Sequence, residues 1–321
     1  MRVFCSGFNL YGQFIKCRTL IIEKFIDYTC DETWMVPAHT FNLLITPEDK
    51  VMYMHGSKKG QTHETQKITL HFVVKQLECV DSKIICISDV NELIRYEENG
   101  EFVLIAKNIV KVACGAKINV ALTDDGKLLN LPHELQFQNF NLKDVVTGCE
   151  HCLLLDDLGK VYTFGCGSRG QLGHGNLEDE YEPKVVEALE GIKIKKIAAG
   201  GWHSCAISAE GDLYIWGWNG NGQLGLYNDE STSIAVMAAP KVVDFEDDIN
   251  VNVLKAACGY RHTIVLLDNG KMYGTGWNKY HQLGNIESTE NVYKMVFLYD
   301  FKSETVQTLK CGPWSSIVIV K

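Results

Sequence analysis

The chain has 321 residues, 46% of them apolar and 22% charged, enough to bury one large core or two ordinary ones. A formal net charge of −9 argues against a general nucleic-acid binder, which needs a basic stripe, and the most basic run, Lys193-Ile194-Lys195-Lys196, is too short to serve as one. No stretch reaches the roughly 18 to 20 apolar residues of a membrane span, and the start lacks the apolar core of a secretory leader; the twelve scattered Cys read as free thiols of an intracellular protein.

Taken in chain order, the first element is RVFCSGFNLYGQF at 2–14, a strand and a Gly turn with no partner strand before it. HTFNLLITPEDKVMYMHGSKKG at 39–60 reads as two strands across a polar turn, and CVDSKIICISDVNELIRY at 79–96 as a fainter version. KVACGAKINVALTDDGKLLNLP at 111–132 adds a Gly before the first strand and an Asp-Gly turn between the two. Three stretches then repeat in full at 147–173, 199–225 and 257–284. Each has Gly-x-x-His, an alternating apolar strand, a turn at Gly159, Gly211 or Gly270, a second strand with Tyr, and Gln-Leu-Gly. Gly takes the positive φ of a tight hairpin turn cheaply, and apolar alternation marks a sheet packed on at least one face. Pro183 and Pro240, each before Lys-Val-Val, are expected at the first residue of an edge strand, where a missing N–H does no harm.

The chain closes with LKCGPWSSIVIVK at 309–321, a repeat loop and one strand whose hairpin partner is absent. Residues 2–14 supply that partner. Six units and this composite make seven, at roughly 46 residues each, the size of a four-stranded propeller blade. The expected fold is therefore all-β, a seven-bladed β-propeller spanning 1–321 as one domain. Its ring is closed by a composite blade made of the N-terminal and C-terminal strands.

The Gly-x-x-His-[Ser/Thr] strand, the Asp-Gly turn, Tyr-x-Trp-Gly and Gly-Gln-Leu-Gly resemble the regulator-of-chromosome-condensation repeat. The match is specific over 147–284 and follows by continuation elsewhere. The resemblance to small single-propeller members implies a non-enzymatic, nuclear, chromatin-associated scaffold. Its implied partner is a JmjC-type histone demethylase or oxygenase, with a role in chromosome segregation and contact with histone complexes rather than with DNA or membrane. The alternative it implies is guanine-nucleotide exchange on a Ran-like small GTPase. Family exchange factors engage the GTPase through acidic and His residues at ring positions, where this chain offers only Glu150 as an acid.

The candidate residues follow from the repeat. His151, His203 and His262 share one repeat position and are expected to be structural struts between strands, since Lys117-Ile118 shows that no His is required there. Cys149-Glu150-His151-Cys152 has a C-x-x-C spacing but lacks the second close pair that tetrahedral zinc needs, so no metal is expected. The Gly-rich run 165–170 recurs in each strong repeat and reads as repeat punctuation, not as a nucleotide loop. No Ser-His-Asp set is recognisable, and neither a catalytic residue nor a cofactor is expected. The two residues between Gly and His begin the inner strand of each blade and should form a ring on one face. There Lys117, Glu150, Trp202, Tyr260, Arg261 and Trp314 form the expected partner-binding face of a monomeric propeller, Trp, Tyr and Arg being common interface anchors.

Overall fold

Alternating apolar residues and short polar turns leave neighbouring segments no option but antiparallel pairing, and the sequence does this seven times over. The computed structural model describes residues 2–14, 17–28, 34–46, 50–57, 64–80, 83–137, 141–226, 235–245, 251–287, 290–302 and 304–321. It holds seven four-stranded antiparallel sheets, arranged as the blades of a propeller. In chain order their inner strands are Trp34–Pro37, Val74–Val80, Ile109–Cys114, Leu142–Thr147, Ile194–Ala199, Val253–Cys258 and Val306–Cys311. The one helical turn among the described residues is Glu187–Leu189.

The seventh blade is the composite. Val306–Cys311 and Ser315–Val320 supply its inner strands, and Arg2–Phe8 pairs with Ser315–Val320 from Arg2↔Val320 to Gly7↔Ser315. The fourth strand is Ile21–Asp27, outside the 2–14 segment that the sequence marked for this blade. Edge strands of this kind carry weak alternation because little packs on them, so their sequence signal is faint. Pro183 and Pro240 correct a second expectation. They lie inside the outer strands Glu180–Val185 and Val236–Val242, where the register shifts, rather than at their first residues. A bulge in an edge strand leaves no ladder partner for the missing N–H, so Pro costs little there. Parts of the 39–60 and 79–96 units, residues 47–49, 58–60 and 81–82, lie outside the described residues.

The core is divided into seven apolar clusters, one in each gap between adjacent blades. Between the fourth and fifth blades, for example, Leu153, Leu155 and Val161 meet Ile194, Ile197 and Trp216. Between the seventh and first, Val3, Cys5 and Ile317 meet Met35 and Leu44. Each face-to-face gap is a sandwich of two twisted sheets, so no blade buries its apolar surface alone. The inner strands of all seven blades surround a central channel of about 360 Å³, whose lining residues include Cys79, Cys114, Cys258 and Cys311. Burial pushes the Cys114 thiol up to about 12, which keeps it protonated and unreactive at neutral pH.

Candidate functional site

The repeat motif is explained by a relay between blades. His151 Nε2 lies 2.9 Å from Ser204 Oγ of the next blade, and that hydroxyl donates to the carbonyl of Gln171 at 2.8 Å. His203 reaches Thr263 and Gln223 in the same way, and His262 reaches Ser316 and Gln282. Each hydroxyl spends its one proton on a Gln carbonyl, so the imidazole must donate from Nε2 and keep Nδ1 bare. Burial pushes His151 and His262 down to about 3, in keeping with neutral rings at that place. The Gly three residues earlier is needed because a Cβ at Gly148 would sit 2.2 Å from the His151 ring. These histidines therefore join one blade to the next.

A second recurring contact builds one face of the ring. The third strand of five blades ends at, or one residue after, a Gly with φ between +106° and +118°: Gly7, Gly56, Gly165, Gly217 and Gly276. Without a side chain, each lets the chain pass directly against the carbonyl of the residue before the His-equivalent position, so that the following N–H bonds to it. Trp218 N–H donates to Trp202 O at 2.8 Å, Trp277 N–H to Arg261 O at 2.8 Å, and Phe8 N–H to Trp314 O at 3.0 Å. An Ala at Gly276 would place Cβ 2.4 Å from the Arg261 oxygen. The bond sets a second residue beside each ring residue, and in three consecutive blades that residue is aromatic.

The outcome is a continuous aromatic belt across the fifth, sixth and seventh blades. Ring centroids run from Trp218 to Trp202 at 5.8 Å, Trp202 to Tyr260 at 6.2 Å, Tyr260 to Trp314 at 5.4 Å, and Trp314 to Trp277 at 4.7 Å. It continues through Tyr280 and Phe8 to Tyr11. All these rings are half-buried, so the belt combines fixed geometry with an accessible edge. Two cations are set into it. The Arg169 guanidinium lies 4.5 Å from the Trp202 ring and 5.1 Å from Trp218; that of Arg261 lies 5.4 Å from Trp218 and 5.5 Å from Trp277. Stacking of this kind is worth about 0.5–2 kcal/mol per contact and holds the planar forks still.

Of the residues expected from sequence, Trp202, Tyr260, Arg261 and Trp314 all stand in this belt. Glu150 borders it, accepting the Trp202 indole N–H at 3.3 Å and pairing with Lys117. The Lys117 ammonium and then the indole hold the Glu150 carboxyl below the usual carboxylate range. Sequence reasoning missed Arg169, Trp218, Trp277 and Tyr280. Arg169, Trp277 and Tyr280 lie in the Gly-rich loops read as punctuation and Trp218 ends the strand before one, and the available signal was the Trp that follows the Gly in Gly217-Trp218 and Gly276-Trp277. Around Cys149–Cys152, Cys152 and His151 are fully buried, and among the described residues no three His, Cys, Asp or Glu side chains converge as a metal group would need.

The repeat, the inter-blade relay and the closed ring together define a seven-bladed propeller that carries regulator-of-chromosome-condensation repeats over 159–282. Two sequence profiles, both described as regulator of chromosome condensation (RCC1) repeat, match it, one at 159–207 and 210–266 and the other at 194–223 and 253–282. Among relatives, it is 38% identical to human RCC1 domain-containing protein 1 over 206 residues, 53% of this chain and 54% of that protein. It is 36% identical to the Arabidopsis thaliana ultraviolet-B receptor UVR8 over 55% of this chain and 43% of the receptor. The chain thus spans about half the length of the curated relatives it matches. In fold it is similar to human WBSCR16, with a TM-score of 0.84 over 100% of both chains at 19% identity. It is also similar to Prp20p of Saccharomyces cerevisiae, a structure reported together with that protein's binding to Gsp1p and histones. There the TM-score is 0.83 over 99% of this chain and 91% of Prp20p at 16% identity.

Proposed function

We propose that the chain is a non-enzymatic interaction scaffold whose belt face receives a protein partner. The observation that carries this reading is the belt itself. Half-buried Trp, Tyr and Arg side chains, locked by stacking and by backbone bonds, are the composition and rigidity of an interface centre. Side chains already fixed in place lose little entropy when a partner docks, which favours binding. The finer part of the proposal, a chromatin setting with a JmjC-type oxygenase as partner and a role in chromosome segregation, rests on the repeat resemblance alone; likeness to RCC1 domain-containing protein 1 supports the coarser reading of an interaction propeller. Among the described residues no helix is long and apolar enough to cross a membrane.

The test is a double substitution, Trp202→Ala with Trp314→Ala. Capture of the partner should fall below detection while the melting temperature stays within a few degrees, because neither ring is fully buried. A variant that binds as well as the parent, or that unfolds, would overturn the assignment. The second reading, nucleotide exchange, draws on the fold likeness to Prp20p. Mixing the protein with Ran loaded with labelled GDP should show accelerated release under that reading and none under the first.

A further inference from the structure

The belt is unusual in its charges. The protein as a whole is acidic, yet the two charges set among the belt rings are both guanidinium groups. Among the described residues neither Arg169 nor Arg261 forms an ion pair. The nearest acid, Glu150, is already engaged by Lys117 and by the Trp202 indole, although Arg169 acts on it at longer range. Arg261 Nε is buried and has no hydrogen-bond partner. A buried donor without an acceptor is a cost that the free protein carries.

The spacing adds a second constraint. Both guanidinium groups lie against the same ring, Trp218, at 5.1 and 5.4 Å from its centroid, so the two cannot be further apart than those two distances laid end to end. Two acceptors presented on one short extended segment could reach both at once, with residues between them resting on indole surface. Planar guanidinium forks match carboxylates bidentately, as a mobile Lys does not. A polyphosphate backbone fits less well. It would also meet the field of a protein of net charge −9, and the belt offers only two such cations with Lys117 at its border.

Resting on the scaffold reading above, we infer that the belt is a receptor for an acidic, aromatic-containing protein segment whose carboxylates pair with Arg169 and Arg261. The probe is a fluorescein-labelled peptide of repeating Asp-Phe-Glu-Gly, followed by fluorescence anisotropy. Its controls are a peptide with Lys in place of each acid and an oligo-dT of equal length. The full chain should bind the acidic peptide and release it as salt is raised. Arg169→Gln with Arg261→Gln should weaken binding by at least about tenfold. Should that double variant fail to fold, Arg169→Gln alone and Arg261→Lys serve in its place. The first should lose one ion pair; the second keeps the charge but loses the fork, so both should weaken the peptide severalfold.

Equal binding by parent and Arg variants overturns the inference, as does equal binding of the basic peptide, preference for oligo-dT, or absence of binding up to about 1 mM. Failure of this inference is separable from failure of the scaffold reading. Partner capture lost with the Trp pair but kept with the Arg pair removes the acidic segment alone. Capture lost with neither removes both.

Discussion

Blades four to six and blades one to three carry the same four-stranded sheet, yet they are joined to their neighbours by different means. The three junctions between the fourth blade and the seventh each have a buried His, a hydroxyl and a Gln carbonyl in line. At the seventh-to-first junction Asn42 takes the hydroxyl's place and donates to the Gln13 carbonyl at 3.2 Å. At the equivalent of the His, the first blade has Phe41 and the third has Ile118, both buried. There the loop closes by the same backbone bond, Ala38 N–H to Phe41 O and Gly115 N–H to Ile118 O, without the relay. A different polar tie links the second blade to the third: the Gln76 side chain both donates to and accepts from the backbone of Val112. The difference shows that hairpin patterning and apolar gaps are enough to build a blade, whereas the repeat motif adds an inter-blade lock and the belt that rides on it.

The comparison breaks most sharply at the strand-ending glycines. Gly276→Ala forces a Cβ to 2.4 Å from the Arg261 backbone oxygen at φ +107°, and that backbone cannot readily yield because it runs directly into the paired strand His262–Leu267. The expected loss is at least about 3 kcal/mol, read as a fall in the urea midpoint or as insoluble protein. Gly126→Ala in the third blade is the control. Its φ is +84° but nothing lies within 4 Å, so only the backbone preference is lost, about 1 kcal/mol. Equal costs would mean that close approach to the ring residue does not define these positions.

This same contact explains what could and could not be read beforehand. The hairpins, the seven-fold count and the closing of the ring through Val3 and Ile319 follow from period-two alternation and from Asp-Gly turns, which are local signals. Trp218 and Arg169 escaped notice because one ends a strand at, and the other sits within, a Gly-rich loop whose spacing resembles punctuation. Only folding lays the residue after Gly217 against Trp202, one hairpin back, and no periodicity reports that. Ile21–Asp27 escaped because an outer strand with three of its seven residues exposed has little alternation to show.

A smaller effect is expected from the relay. His203→Ala removes the donor to Thr263 and leaves a cavity between blades, for about 3 kcal/mol. Ile118→Val at the matching place of the third blade removes one methylene from an apolar contact, for about 1 kcal/mol. Chemical denaturation of both variants measures the difference directly. Similar values would reduce the relay to packing.

The mildest test is pH, and it bears on the comparison because Phe41 and Ile118 carry no proton at the positions where His151 and His262 stand. Burial holds both His near 3, whereas an unfolded chain titrates them near 6.5. Between those values the unfolded state binds more protons than the folded one, so the free energy of unfolding rises with pH. Stability from this source is complete above about pH 6.5 and is lost as pH falls toward 3. Each His contributes about 1.4 kcal/mol per pH unit once well below 6.5, or roughly 2 kcal/mol between pH 7 and pH 5. Urea unfolding at those two values should show the protein losing roughly 4 kcal/mol from the pair. His151→Gln lowers stability at both values but should cut this particular decline by about half. A decline unchanged by the substitution would place the acid sensitivity in carboxylates, shared by both halves of the ring, and the relay would no longer set the two halves apart in their response to acid.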